Sequence, residues 1–181
     1  TAKMILERVL DRKVFVVPNG ADLEYFRPKD KTEARRRLNF ANDDFLILYA
    51  GTIGGYYKVA DAIKVFKELD NTTSNRTIKL VLAGTIVDKE HATLLRKVQT
   101  QNIIYLGALD VEKLKELYSA SDVGLIPRIN DPAFDYAVPA KFYEYVAMGL
   151  PVLAICRKES ELAKIIIENR LGIVCESKEC L

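Results

Sequence analysis

Short runs that are apolar throughout alternate along the chain with segments in which apolar residues recur every three or four positions. Continuous apolar runs are typical of strands covered on both faces of a sheet. The segments between them have a helical period, as Val59, Ile63 and Phe66 do, or begin at a residue suited to an N-cap, such as Asp110. The pattern predicts strands at residues 14–17, 45–50, 78–83, 103–106, 123–126, 151–155 and 172–175.

The repeated order of strand and helix predicts an α/β fold, a Rossmann-like parallel sheet with helices on both faces. Right-handed crossovers place the carboxyl end of every strand at one edge, where ligands bind in such folds. Three of the runs stop there in small or polar residues, at Gly84, Gly107 and Arg128. We therefore expect these three strand ends to lie together beside a ligand.

Composition narrows the class of protein further. With 181 residues, 49% of them hydrophobic, the chain suits one packed domain over residues 1–181. A formal net charge of +2, from 27 basic and 25 acidic residues, does not suggest a nucleic-acid partner. No apolar run approaches the roughly 20 residues that cross a bilayer. The three cysteines form no C-x-x-C pair, which favours structural thiols in a reducing, cytoplasmic location and no metal site.

A glycine-rich loop follows the predicted strand at 45–50. Gly51, Gly54 and Gly55 let backbone amides approach a ligand, and Lys58 adds a positive charge where the next helix begins. These features favour phosphate binding, although glycines that merely permit a tight turn are the alternative. The spacing is neither that of a Walker A loop nor G-x-G-x-x-G, and the next strand ends in Ala83 without a ribose-binding acid.

A second candidate lies near the C-terminus, where Lys141 and Glu144 are three residues apart on a predicted helix. Both side chains therefore project from one side near the helix N-terminus. The ammonium could meet a phosphate, and the carboxylate could accept hydrogen bonds from two vicinal hydroxyls. The alternative is a surface ion pair, usually worth less than about 1 kcal/mol. The single histidine, His91, is expected to be solvated on a polar helix face.

Five segments, taken in order, resemble the C-terminal, donor-binding domain of GT-B glycosyltransferases, especially family 4. The more specific motifs are N-G-x-D-x-x-x-F, from Asn19 to Phe26, and E-x-x-A-x-G-x-P-V, from Glu144 to Val152. The segments read VVPNGADLEYFRP, LYAGTIGGYYKVADAIKVFKEL, KLVLAGT, IIYLGALDVEKLKELYSASDVGLIP and PAKFYEYVAMGLPVLA. The resemblance covers nearly the whole chain.

The resemblance implies a nucleotide-diphosphate sugar as substrate, with no cofactor, no metal and no catalytic residue in this domain. It assigns Glu144 to the ribose. Thr52 stands where relatives often have arginine, so Arg128 or Lys141 is expected to supply the missing cation. Tyr136 stands where the family has a glutamate, and a local gap would bring Asp131 or Asp135 there instead. The diphosphate is assigned to Gly51, Thr52, Lys58, Arg128 and Lys141, and the nucleobase pocket to Gly84, Thr85, Leu106 and Gly107.

The resemblance also implies that the N-terminal acceptor-binding domain and the C-terminal return helices lie outside this sequence. It favours a retaining glycosyltransferase, cytoplasmic or peripheral to the membrane at full length, and predicts that this fragment alone is inactive. The rival functions are a dinucleotide enzyme on the same sheet and a catalytically inert interaction or nucleotide-binding module. The nucleobase, the sugar, the acceptor and the oligomeric state stay open.

Overall fold

One parallel sheet organises the chain in the computed structural model, which describes residues 2–11, 13–68, 76–98 and 102–177. Within these residues the sheet has six strands in the order β3-β2-β1-β4-β5-β6. This arrangement confirms the predicted Rossmann-like fold. The strands are β1 (Phe45–Ala50), β2 (Ile78–Ala83), β3 (Ile103–Tyr105), β4 (Val123–Pro127), β5 (Val152–Ile155) and β6 (Gly172–Cys175).

Helices cover both faces because successive strand residues point to opposite sides of the sheet. In β1, Leu46 and Leu48 belong to one apolar core, and Ile47 and Tyr49 to the other. The helices are α1 (Ala2–Leu10), α2 (Lys31–Arg37), α3 (Val59–Glu68), α4 (Lys89–Lys97), α5 (Val111–Ala120), α6 (Ala140–Ala147) and α7 (Glu161–Glu168). The first core also takes in residues of α2, α5, α6 and α7, and the second takes in residues of α3 and α4.

The strand predicted at residues 14–17 is wrong. These residues form no strand, and Phe15, Val16 and Val17 are exposed. An apolar run becomes a strand only where a neighbouring strand accepts its hydrogen bonds, and no described strand lies beside this one. Of the other six predicted strands, those at 45–50, 78–83 and 172–175 are confirmed with the same bounds, and the remaining three differ by one residue at one end. β5, for example, begins at Val152 because Pro151 has no N–H to donate.

The cysteines depart in part from the expectation of reduced, structural thiols. Cys156 is buried and free, whereas Cys175 is disulfide-bonded, so the expectation is wrong at the second position. Cys180 lies outside the described residues, and so does Leu69, which continues the helical period of Val59, Ile63 and Phe66. No helix in the described ranges is both long and apolar enough to cross a membrane.

Tyr145 of α6 holds the sheet together where the strand order reverses. β1 and β4 pair directly only at Ile47 with Val123 and at Leu48 with Gly124. The Tyr145 hydroxyl accepts the N–H of Ala50 at 3.0 Å, and it lies 3.3 Å from the Leu48 carbonyl oxygen of β1 and 3.4 Å from the Leu125 carbonyl oxygen of β4. Its ring occupies the space above Gly124, where a Cβ atom would lie 2.5 Å from Tyr145 Cγ. The phenol therefore bridges β1 and β4. The crevice between the carboxyl ends of these two strands is where ligands bind in such folds.

Arg35 fastens α2 to the sheet through a buried ion pair. Its side chain is 5% exposed and donates to Asp122 Oδ2 at 2.7 Å and to the Ala120 carbonyl oxygen at 2.9 Å. The same Asp122 oxygen accepts the N–H of Leu46, at the start of β1, at 2.7 Å. Lys31, which is 45% exposed, reaches the other Asp122 oxygen at 2.5 Å. One carboxylate thus meets a buried and an exposed cation.

Because Arg35 is buried and Lys31 is exposed, replacing them should have unequal effects on stability. Arg35→Met should lower the free energy of unfolding by about 3 kcal/mol, because it removes the buried partner of Asp122 and leaves the carbonyl groups of Ala120 and Asn42 without their donor. Lys31→Met should lower it by less than about 1 kcal/mol. Urea denaturation of the two variants checks this. Equal losses would show that burial does not set the strength of this pair.

Candidate functional site

The floor of the crevice is backbone from the loops after β1, β2 and β3. The Gly51 N–H donates to the Ala83 carbonyl at 2.8 Å, and the Gly84 N–H donates to the Gly107 carbonyl at 2.8 Å. Gly84 has a φ of +141°, and a Cβ atom there would collide with the Gly51 carbonyl oxygen. Only glycine fits this contact. The bond between Gly84 and Gly107 confirms the predicted meeting of these two strand ends, whereas the third, at Arg128, lies at a different cavity, so the prediction is wrong there.

The glycine loop after β1 is held in place by the segment before α4. The Ile53 N–H donates to the Thr85 carbonyl at 2.9 Å, and the Val87 N–H donates back to the Ile53 carbonyl at 3.1 Å. Gly54 has a φ of +113°, and a Cβ atom there would collide with the Asp88 carboxylate. The loop therefore has a fixed shape before any ligand arrives.

His91 is part of this support, and the expectation that it is solvated is wrong. The residue is 9% exposed, and its Nδ1 lies 2.8 and 2.9 Å from the two Asp88 carboxylate oxygens. The His91 N–H also donates to Asp88, which caps α4. The backbone and ring donors of His91 lower the pKa of Asp88, so the carboxylate is ionised and accepts both bonds.

Lys141 is the most unusual group at the crevice. Its Nζ lies 3.9 Å from the ring centroid of Tyr49 and 3.7 Å from that of Tyr57. The atom is buried and has no hydrogen-bond partner in the described residues. A Cβ atom on Gly51 would lie 2.8 Å from it, so the ammonium reaches the glycine loop only because residue 51 has no side chain.

Burial lowers the pKa of Lys141 to about 7. Glu144 opposes this shift, and the positive charge of Arg128 adds to it. Burial also raises the pKa of Tyr49 and of Tyr57, so neither phenol ionises to become a counter-ion. No ion pair joins Lys141 to Glu144 within the described residues, and the interpretation of these two as a surface pair is wrong.

Glu144 is a half-buried carboxylate in a fixed orientation. The Tyr118 hydroxyl donates to Glu144 Oε2 at 2.6 Å, and burial raises the pKa of Tyr118, so the phenol keeps its proton. Oε1 has no hydrogen-bond partner in the part of the chain that the structure describes. One oxygen is therefore anchored, and the other remains available to a ligand.

Two adjoining cavities bring most of the predicted residues together. The first, of about 360 Å³, contains Lys141 and Glu144; the second, of about 280 Å³, contains Gly84 and Thr85. Both are lined by Gly51, Thr52 and Leu114. Leu106 and Gly107 lie beneath the second cavity as part of its supporting backbone, since their N–H and carbonyl groups bond Leu82 and Gly84.

Lys58 and Arg128 lie elsewhere, in a third cavity of about 260 Å³. Tyr57 lies between them and Lys141, because its ring contacts Lys141 Nζ and its backbone pairs with that of Arg128 in an antiparallel bridge. Tyr136 is exposed. Asp131 accepts the Ala133 N–H at 2.9 Å, and Asp135 pairs with Arg157 at 3.1 Å, so both acids already serve the local structure.

Sequence reasoning missed the tyrosines that shape the first cavity. Tyr49, Tyr57 and Tyr118 hold Lys141 and Glu144 in position. The only signal was a tyrosine within the otherwise aliphatic strand FLILYA.

The family described as "Glycosyl transferases group 1" matches residues 30–180. A D-inositol 3-phosphate glycosyltransferase of Geodermatophilus obscurus is 30% identical over 153 residues, which are 79% of this chain and 33% of that protein. An alpha-galactosylglucosyldiacylglycerol synthase of Streptococcus pneumoniae is 24% identical over 87% of this chain and 41% of its own length. The chain thus spans less than half the length of these relatives.

Solved structures share the fold. WaaG, a glycosyltransferase involved in lipopolysaccharide biosynthesis, superposes with a TM-score of 0.71 at 21% identity, over 92% of this chain and 44% of WaaG. The C-terminal domain of LpcC, a group 1 family protein from Francisella tularensis, gives a TM-score of 0.68 at 18% identity, over 89% and 83%. Anabaena HepE in complex with UDP and glucose gives 0.60 at 14%, over 86% and 48%.

Removing the buried ammonium should stabilise the fold. The pKa of Lys141 is about 7 when folded, against about 10.4 for an unfolded lysine, so the unfolded chain binds more protons between these values. Stability is therefore lost as the pH falls from about 10 to about 7. Lys141→Met should raise the free energy of unfolding by about 1–2 kcal/mol near pH 6, and by less near pH 9.5.

Urea denaturation at both pH values measures the difference. Lys58→Met is the matched control, because the Lys58 side chain is exposed and forms no ion pair within the described residues. The control should show no pH-dependent gain. A Lys141→Met protein less stable than wild type at both pH values would contradict the account of Lys141.

Proposed function

Because this chain belongs to the group 1 glycosyl transferases, we propose that it is the donor-binding part of a glycosyltransferase. In this proposal it holds a nucleoside-diphosphate sugar while the sugar passes to an acceptor. The observation that carries the proposal is that Lys141 and Glu144 line the same cavity above the Gly51 backbone without bonding each other. An unpartnered ammonium and a half-free carboxylate, one helical turn apart, are complementary to a diphosphate and a ribose.

Between them, the two adjoining cavities can hold the nucleobase, the ribose and the diphosphate of such a donor. Glu144 Oε1 is available to the 2′ and 3′ hydroxyls of the ribose, while the Tyr118 bond fixes the carboxylate. The nucleobase would lie in the cavity beside Gly84 and Thr85. The diphosphate would lie over Gly51 and Thr52, which line both cavities, so one ligand can run through both.

Lys141 would supply the positive charge that the family arginine provides at the Thr52 position. A phosphate next to Nζ favours the ammonium, so donor binding raises the pKa of Lys141 and takes up a proton near neutral pH. The ammonium and the loop amides would then stabilise the negative charge that develops on the leaving diphosphate. A retaining mechanism is part of the proposal, with the donor phosphate itself acting as the proton acceptor.

Titration calorimetry with a panel of UDP, GDP, ADP, UDP-glucose, GDP-mannose and NAD tests the proposed function. We expect one nucleoside diphosphate and its sugar to bind well ahead of NAD. The HepE structures with UDP and with UDP-glucose support UDP as the first probe. A preference for NAD would indicate a dinucleotide enzyme, and silence across the panel would indicate an inert module.

Glu144→Gln should weaken the preferred nucleoside diphosphate by about 1–3 kcal/mol, or roughly five- to hundredfold in affinity. The substitution keeps the shape but removes the charge and one acceptor of the ribose hydroxyls. The 2′,3′-dideoxy form of the same nucleotide, measured in the same titration, should bind wild type and Glu144→Gln about equally weakly. If the dideoxy form binds wild type as tightly as the ordinary nucleotide does, Glu144 is not the ribose ligand.

A further inference from the structure

The Asp88–His91 pair contacts the glycine loop through the Asp88 carboxylate. A Cβ atom on Gly54 would collide with Asp88 Oδ2, so the carboxylate lies directly against the backbone of this glycine. The His91 backbone N–H, the His91 ring and the Gly55 backbone all bond the same carboxylate and lower its pKa. The three cavities described above are lined by other residues, so the pair would act on a ligand bound there only through the loop.

The His91 ring fixes the orientation of that carboxylate. Its Nδ1 lies 2.8 Å from one Asp88 oxygen and 2.9 Å from the other, so one ring donor spans both. Its Nε2 is buried and has no hydrogen-bond partner in the part of the chain that the structure describes. The polar contribution of the ring is therefore the Nδ1 contact, which an amide nitrogen in the same place could reproduce.

The supported loop is also connected to the buried ammonium of Lys141. The Tyr57 N–H donates to the Gly54 carbonyl oxygen at 3.4 Å, and the Tyr57 ring lies 3.7 Å from Lys141 Nζ. The Tyr49 hydroxyl donates to the Thr52 carbonyl oxygen, and the Tyr49 ring lies 3.9 Å from Lys141 Nζ. Two tyrosines thus join the backbone of the loop to the ammonium, and a shift of the loop would move both.

We propose that Asp88 and His91 are positioning residues for the diphosphate of the donor. They hold Gly54 and Gly55, and in this way fix the loop amides and the wall beside Lys141 before the ligand arrives. Gly54 has a φ of +113° and Gly55 a φ of +62°, and glycines have the conformational freedom that such support must remove. Binding is tighter where the contacting groups are already held in place. The inference rests on the proposed function, because it assigns a task within donor binding.

Substitutions at the two positions separate the support of the loop from the fold of α4. His91→Leu keeps an apolar side chain but removes the Nδ1 donor, whereas His91→Asn places an amide nitrogen close to the same position. Both variants keep the backbone cap, because the His91 N–H donates to Asp88 whatever the side chain. Asp88→Ser keeps a capping oxygen on a shorter side chain, which withdraws from Gly54.

Titrations of the 181-residue chain with a nucleoside diphosphate and with its nucleoside measure the effect. The pairs are UDP with uridine, GDP with guanosine and ADP with adenosine, according to the base that wild type prefers. His91→Leu and Asp88→Ser should weaken the diphosphate about three- to tenfold, as the loss of one hydrogen bond from the loop would. The nucleoside has no phosphate and should keep its wild-type affinity. His91→Asn should bind both ligands as wild type does.

Asp30→Ser is the matched control for the capping residue. Asp30 caps α2 by accepting the Glu33 N–H at 2.8 Å, and the three cavities are lined by other residues. The control should change neither affinity. A second arm measures hydrogen exchange of the Gly55 amide by NMR without ligand. Exchange should be about three- to tenfold faster in His91→Leu and Asp88→Ser, and unchanged in His91→Asn and Asp30→Ser.

The positioning role is refuted if wild type binds the diphosphate and His91→Leu and Asp88→Ser bind it as tightly. It is also refuted if these variants lose the nucleoside to the same extent, or if His91→Asn binds the diphosphate as weakly as His91→Leu. Failure of the proposed function has a different signature: neither ligand of any pair binds wild type. The exchange rates then decide alone, and equal rates at Gly55 in wild type and His91→Leu would overturn the hold of the pair on the loop.

Discussion

The close approach of two backbones, after β1 and after β2, is the constraint on which the candidate site depends. Gly84 touches the Gly51 carbonyl oxygen on one side, and Lys141 Nζ closes over Gly51 on the other. A side chain at either glycine would separate these layers, because each space is smaller than a methyl group requires. The floor of the crevice therefore consists of peptide groups, and its charged side chains, Lys141 and Glu144, come from helix α6.

Helix α6 combines two tasks within one turn. Tyr145 joins β1 to β4 through its hydroxyl, and Lys141 and Glu144 face the cavity beside that junction. The stable junction fixes the helix, and the tyrosines that surround the cavity hold the two charged side chains. We expect Lys141 to destabilise the folded chain in the absence of a ligand, because its ammonium is buried without a hydrogen-bond partner in the described residues. A group that opposes folding in this way is explained most simply by the ligand that would neutralise it.

Much of the fold follows from the sequence, because the strands at 45–50 and 78–83 are apolar throughout and the β-α order dictates their direction. The same rule located the strand ends at Gly84 and Gly107. It failed where the outcome depended on partners distant in sequence. An apolar run at 14–17 carries no information about whether a strand lies beside it, and His91 supports the glycine loop only because its partner Asp88 meets Gly54, far away in the sequence. Equally, nothing local indicates that Tyr57 would divide Lys58 from Lys141.

The contact between Gly124 and Tyr145 has an evolutionary consequence. The ring lies where the Cβ atom of any other residue at 124 would be, so the two positions share one fixed volume. A larger residue at 124 is compatible only with a smaller one at 145, and that exchange gives up the hydroxyl that joins the strands. The two positions are therefore expected to covary among relatives, with a small residue at one accompanied by an aromatic residue at the other. In relatives that keep this pair, the loop sequences could change while the spacing of β1 and β4 beside the crevice stayed the same.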